Sequence, residues 1–199
     1  MIWYKDYRYL LNSCVIFRLA AIIVDNVYAL MYNIFTFKGV VIVRCVIVGG
    51  ADIADYNKMK QYIKSDDFFI FCDSGLNHAE ELNVTPSLII GDFDSHQKPD
   101  TDIETIVLPC EKDDTDTMFA VKEALKRGYD DFLLIGVVGN RLDHTLVNVS
   151  ILNYLFENGK RGSIVDDFSE MEIVGNNTIY VDDTFSYFSL VNLFGISEG

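Results

Sequence analysis

Apolar residues in this chain come in short unbroken runs rather than in alternation, and most of the runs stop at glycine or aspartate. Arg44 to Val48 ends in Gly49-Gly50, Asp67 to Cys72 ends at Asp73, and Ser87 to Ile90 ends at Gly91-Asp92. Asp131 to Val138 ends at Gly139, and Thr105 to Leu108 is a shorter run of the same kind. Such runs, bounded by turn residues, predict strands buried on both faces. Between them the spacing turns helical, over Ala51 to Lys64, Gly75 to Leu82, Asp114 to Arg127 with Gly128 as its stop, and about Asp143 to Asn158. Strands alternating with helices in this way predict an α/β fold, a parallel sheet flanked by helices in a three-layer, Rossmann-like arrangement.

The pattern changes after Gly162. Ser163 to Val165, Glu172 to Val174, Thr178 to Val181 and Phe185 to Leu193 are strand candidates with no helix between them. They are read as sheet edge or as the start of a β domain. Residues 1–42 are rich in Tyr, Phe, Ile and Val but hold no clean period, and Asn12, Arg18, Asp25 and Asn26 interrupt their most apolar part. A spanning helix needs about 20 largely apolar residues, so no membrane role is expected, and no cleavage-site pattern marks a signal peptide. The stretch is either an extension or upstream sequence read in frame before a domain that opens at Val43. The predicted organisation is therefore an N-terminal extension over 1–42, an α/β domain over 43–165 and the start of a β domain over 166–199.

Charge sharpens the same boundary. Residues 1–42 carry four basic and two acidic side chains, whereas 43–199 carry 12 basic and 28 acidic, a net −16. An acidic surface with a pI near 4.4 argues against gripping nucleic acid, which needs a basic face. It suits magnesium-dependent phosphate chemistry, which needs clustered carboxylates. Cys14, Cys45, Cys72 and Cys110 lie far apart with no C-x-x-C pair, and are expected to be reduced thiols in a cytoplasmic protein rather than zinc ligands.

The acidic residues lie where strands end, and ligands of open parallel sheets bind at the carboxyl ends of the strands. Asp73 follows one apolar run, and Gly91-Asp92-Phe93-Asp94-Ser95 follows another with two carboxylates two residues apart, able to face one ion. Taken alone, it is an ordinary acidic turn. Glu111-Lys112-Asp113-Asp114-Thr115-Asp116-Thr117 packs four acids and a lysine into a helix entry. Asp113 or Asp114 is expected to cap that helix, with Thr115 and Asp116 in its first turn beside free N–H groups suited to a phosphate. Acids this dense repel one another unless a cation lies among them. Gly139-Asn140-Arg141-Leu142-Asp143-His144 is a further strand end turning into a helix, where Arg141 can fork onto phosphate oxygens and Asp143 can cap the helix or reach a metal. Neither G-x-x-x-x-G-K-[ST] nor G-x-G-x-x-G occurs, which argues against a P-loop kinase and a dinucleotide dehydrogenase.

Together with Asp73-Ser74-Gly75-Leu76-Asn77, these motifs in this order resemble the thiamine pyrophosphokinase family over about Arg44 to Tyr180. The resemblance implies transfer of a pyrophosphoryl group from ATP to the hydroxyl of thiamine, giving thiamine diphosphate and AMP, with Mg²⁺ as cofactor. It implies that Asp92, Asp94 and Asp116 bind the metal. It implies that Asp73, Asn77, Lys112, Thr115, Arg141 and His144 lie at the ATP site, with Asp143 against ATP or the metal. Asp94, Asp116 and Asp143 are the catalytic candidates, Asp94 and Asp143 being the two that could act as general base. The family's second domain is a β-sandwich that holds thiamine with help from a dimer partner, so a homodimer is implied for the full-length protein, and only the opening of that domain is expected here. The rival readings are a pyrophosphokinase acting on a hydroxymethyl pterin and a non-catalytic nucleotide-binding fragment.

Overall fold

A computed structural model of the chain describes residues 14–20, 43–93, 100–111, 113–175 and 185–193. Its strands are β1 (Cys14–Ala20), β2 (Cys45–Val48), β3 (Phe68–Cys72), β4 (Leu88–Gly91), β5 (Thr105–Val107), β6 (Asp131–Ile135), β7 (Arg161–Val165), β8 (Ser169–Val174) and β9 (Phe185–Val191). The helices are α1 (Tyr56–Tyr62), α2 (Ala79–Leu82), α3 (Asp116–Lys126) and α4 (Leu142–Glu157), and a 3₁₀ segment over Asp73–His78 leads into α2. Among the described residues the strands form one sheet in the order β5-β4-β3-β2-β6-β7-β8-β1-β9.

From β5 to β7 every pairing is parallel, with Cys45 opposite both Phe68 and Phe132. The inner strands β2, β3, β4 and β6 are apolar on both faces because both faces are covered. Cys45 and Ile47 point into a core closed by Ala120, Val121 and Ala124 of α3 and by Ile151, Leu152 and Leu155 of α4. Val46 and Val48 point the other way, into a core closed by Met59 of α1 and Leu82 of α2. This is the predicted three-layer α/β arrangement. The change of pattern after Gly162 marks the point where the sheet turns antiparallel: β8 pairs back onto β7 through Ser163–Glu172, and β1 runs antiparallel between β8 and β9. The strand expected over 178–181 lies outside the described residues.

Some elements are shorter than their patterns suggest, for physical reasons. The helix expected from Ala51 begins only at Tyr56, because Asp55 caps it by accepting from the Lys58 N–H and the preceding backbone is tied elsewhere. The helix expected over Gly75 to Leu82 is a 3₁₀ segment followed by a single α-helical turn closed by Asn83 at φ +58°. β6 ends at Ile135 because Gly136 takes φ +64°, which turns the chain out of the sheet. No helix among the described residues is long and apolar enough to cross a membrane.

Candidate nucleotide cleft

Strand order reverses between β2 and β6. From β2 the chain builds outward through β3, β4 and β5, then returns to lay β6 on the other side of β2. Open α/β sheets bind ligands in the crevice at such a reversal, outside the carboxyl ends of the strands. A cleft of about 380 Å³ lies there. The loop after β2 (Gly49 to Asp52), the end of β3 with the start of its 3₁₀ segment (Cys72, Asp73, Ser74), the entry to α3 (Thr115, Asp116, Thr117), and the segment from β6 into α4 line it.

Two backbones cross at the floor of this cleft. Gly49 and Gly136 approach so closely that a Cβ on either would lie 2.6 Å from the other's carbonyl oxygen. Gly49 N donates to the Ile135 carbonyl at 2.9 Å, and Ala51 N to the Gly136 carbonyl at 2.8 Å. Behind this loop His78 is buried; its Nε2 lies 3.1 Å from the Ala51 carbonyl and its Nδ1 2.7 Å from the Tyr56 hydroxyl. A carbonyl only accepts, so Nε2 carries the proton and Nδ1 accepts from Tyr56. Burial lowers the His78 pKa below the ordinary 6.5 against the opposing pull of the Ala51 hydrogen bond, which keeps the ring neutral.

The cleft gathers Asp73, Thr115, Asp116, Arg141 and His144 from the candidates singled out in the sequence. Asp73 takes φ +45°, a left-handed value that aspartate tolerates at a modest steric cost. Its Oδ1 is buried and finds no hydrogen-bond partner among the described residues. The Cys72 thiol between the strand and these acids is pushed well up, first by burial and then by the Asp116 and Asp73 carboxylates. Thr115, rather than Asp113 or Asp114, caps α3: its hydroxyl accepts from the Met118 N–H at 3.2 Å. Asp114 instead pairs with Lys122 at 2.6 Å, which relieves part of the repulsion in the acidic helix entry. At the mouth, Arg141 and Asp143 form an exposed ion pair.

The remaining candidates fall away from the cleft wall or outside the described residues. Asn77 is exposed on the 3₁₀ segment, and Asp143 faces Arg141. Asp92 lies one strand further out, after Gly91, which packs against the Asp73 backbone. Asp94 and Lys112 lie outside the described residues, and among those described no group of three His, Cys, Asp or Glu side chains is gathered to hold a metal. The donors in the cleft are nevertheless of the kind Mg²⁺ takes, hard carboxylate oxygens, and the unpartnered Asp73 Oδ1 fits such an ion.

Several wall residues gave no signal in the sequence. Gly49-Gly50 read as a turn and Ala51-Asp52 as the start of a helix, and Asn148 falls unmarked within the helix expected over about Asp143 to Asn158. In the fold Asn148 is buried and its Nδ2 donates to the Val137 carbonyl at 2.8 Å, pinning the segment that crosses the floor.

Comparison with known proteins agrees with the fold. The family model described as thiamin pyrophosphokinase, catalytic domain, matches residues 59–162. Among solved structures, the chain resembles a thiamin pyrophosphokinase from Geobacillus thermodenitrificans with 28% identity and a TM-score of 0.52, over 62% of this chain and 60% of that one. A thiamin pyrophosphokinase family protein from Enterococcus faecalis is 30% identical with a TM-score of 0.51, over 62% and 61%. A thiamine pyrophosphokinase from Bacillus subtilis shares the fold at 23% identity and a TM-score of 0.53, over 62% and 61%. The chain thus spans about three fifths of the length of these relatives, and no curated protein matches it. Because the family match takes in more than half of the chain, the protein belongs to the thiamin pyrophosphokinase family through its catalytic domain.

Proposed function

We propose that this chain binds Mg·ATP in the cleft between β2 and β6 and takes part in transferring a pyrophosphoryl group to the hydroxyl of thiamine, giving thiamine diphosphate and AMP. The single observation that carries the reading is the buried, unpartnered Asp73 Oδ1 in a cleft whose other walls present a helix entry and a guanidinium. Asp73 and Asp116 would hold the ion, and the family resemblance adds Asp92 and Asp94. When bound, Mg²⁺ supplies positive charge against the phosphate oxygens.

The chain's own residues have separate tasks in this scheme. The first turn of α3 offers backbone N–H groups to a phosphate, with Thr115 closing the cap. Arg141 and His144 approach the phosphates from the α4 side, and Arg141 is suited to a bidentate contact. The acceptor oxygen attacks the β-phosphorus, the bond from that phosphorus to the oxygen bridging the α-phosphate breaks, and its electron pair leaves with AMP. The hydroxyl proton passes to a base, for which Asp94 and Asp143 are the candidates. Arg141 holds the Asp143 carboxyl below the usual aspartate range, so Asp143 accepts a proton poorly until Arg141 turns to phosphate.

We read the full-length protein as a cytoplasmic homodimer. The buried free thiols Cys45 and Cys72 support a reducing compartment. The test is AMP release from Mg·ATP with and without thiamine, and with a hydroxymethyl pterin in its place. Release that depends on thiamine is the expected result. Release with the pterin alone moves the acceptor, Mg·ATP binding without release leaves a nucleotide-binding protein, and absence of nucleotide binding overturns the reading.

A further inference from the structure

The turn between β7 and β8 begins four residues past the end of the family match and reaches back to the loop that walls the nucleotide cleft. Asp166 builds this turn: its Oδ1 accepts from Phe168 N at 2.8 Å, from Ser169 N at 2.5 Å and from the Ser169 hydroxyl at 2.9 Å, while its own N–H donates to the Ser169 carbonyl. That leaves Asp167 presented outward on a rigid support. Its two carboxylate oxygens divide between two consecutive backbone groups of the β2–α1 loop, Oδ2 accepting from Ala54 N at 2.9 Å and Oδ1 from Asp55 N at 2.8 Å. The Asp167 carbonyl in turn accepts from Nζ of Lys58, a buried lysine of α1, at 2.6 Å.

The loop held in this way is the one that walls the cleft. Its first half, Gly49 to Asp52, lines the cavity and is fixed to the end of β6 through Ala51 N and the Gly136 carbonyl. Its second half carries the two N–H groups that Asp167 occupies, just ahead of a helix only seven residues long, too short to hold the loop by its own cooperativity. A second cavity of about 250 Å³ separates the turn from the cleft and shares Asp52, Gly136, Gly139 and Asn140 with it. The loop therefore lines both hollows, its first half anchored to β6 and its second half to the turn after β7. Charge-assisted hydrogen bonds to backbone N–H groups are the strong class of such contacts, and here two converge from one side chain.

We propose that Asp167 is a positioning residue for the nucleotide cleft, holding the Gly49 to Asp55 loop in its binding shape and so tying the segment after β7 to the site. The part of this concerning nucleotide rests on the function proposed above. The test is amide hydrogen exchange together with Mg·ATP affinity on the full chain, comparing wild type with D167A, D167N and D167E. In D167A, exchange at Ala54 and Asp55 should quicken by roughly tenfold or more, and so should exchange at Ala51 on the cleft wall, while Ile89 and Ile90 of β4 stay unchanged. The Kd for Mg·ATP should rise about five- to tenfold in D167A, less in D167N, which keeps one acceptor, and be partly restored in D167E, which keeps both. A folded D167A whose Ala51 exchange or whose Mg·ATP affinity matches wild type overturns the proposal. Should D167A fail to fold, D167N carries the same measurements. If wild type binds no Mg·ATP, the functional reading fails by itself, and exchange at Ala51 alone then decides the role of Asp167.

Discussion

Arg141 and Asp143 hold each other at the mouth of the cleft, with Nη2 2.5 Å from Oδ2 and Nε 3.3 Å from Oδ1. Both side chains are about two-thirds exposed, so water screens the pair and a phosphate can displace the carboxylate with little loss. The pair parks the guanidinium where a nucleotide would meet it. Arg141→Ala is expected to raise the Kd for Mg·ATP by roughly tenfold or more, the worth of a charge-assisted phosphate contact. Titration calorimetry reads this directly, and an unchanged Kd would remove Arg141 from the phosphate site.

Asp73 combines a left-handed backbone with a buried, unpartnered oxygen. Asparagine tolerates the same backbone and removes the charge. Asp73→Asn should therefore melt no lower than wild type while losing most of the Mg²⁺ dependence of ATP binding. Thermal melts and calorimetry with and without Mg²⁺ check the two halves separately; a large drop in melting temperature would assign Asp73 a structural task instead.

How much of this was legible beforehand follows from the range of the interactions. The inner parallel strands β2, β3, β4 and β6 are legible because both their faces are buried, so their apolar runs are unbroken. Asp73 and Gly91 mark the ends of β3 and β4, whereas the run of β6 points on to Gly139 and the strand stops earlier, at Gly136. The cap of α3 is not legible because Asp113, Asp114 and Thr115 are all good capping residues, and only the docked backbone selects the Thr115 hydroxyl for Met118 N. Gly49, Ala51 and Asn148 escaped notice because their roles depend on β6 arriving from far along the chain. Asp167 escaped for the same reason: its partners Ala54 and Asp55 lie more than a hundred residues away.

Gly136 has φ +64°, and a Cβ there would press on the Gly49 carbonyl at 2.6 Å. Both the backbone conformation and the contact oppose a side chain. Gly136→Ala should cost about 2–4 kcal/mol, measurable by urea unfolding, and should weaken nucleotide binding because the floor of the cleft must shift.

At the opposite end of the sheet, Arg44 forks onto Asp67, Nε to Oδ1 at 3.0 Å and Nη2 to Oδ2 at 2.7 Å, and also donates to the Tyr62 carbonyl. The Asp67 side chain is 1% exposed. Removing the cation leaves a buried carboxylate without its main partner, so Arg44→Ala should destabilise by about 3 kcal/mol. Nucleotide affinity should be unaffected in the folded fraction, since the pair lies at the amino ends of β2 and β3, away from the cleft. Chemical denaturation and calorimetry separate the two effects.

His78 gives a pH dependence whose sign is determined. Its folded pKa lies below the ordinary 6.5, chiefly through burial, so the unfolded chain binds the proton more readily. Stability is then fully present above about 6.5 and falls as pH drops from there toward the folded value. Melting temperature between pH 7.5 and pH 5 should decline more in wild type than in His78→Gln. Equal slopes would show that the ring does not carry this dependence.

The pairing of β2 with β6 also governs when the cleft can exist. Cys45 lies opposite Phe132, so two neighbouring strands of the sheet's centre are separated by most of the domain's chain. β2, β3, β4 and β5 can pair in the order in which they occur, each closing a modest loop. The crossing of Gly49 and Gly136 forms only once β6 has closed the much longer loop back to β2. On the ribosome, the cleft is thus completed late, after the residues through α4 have emerged and β6 has docked.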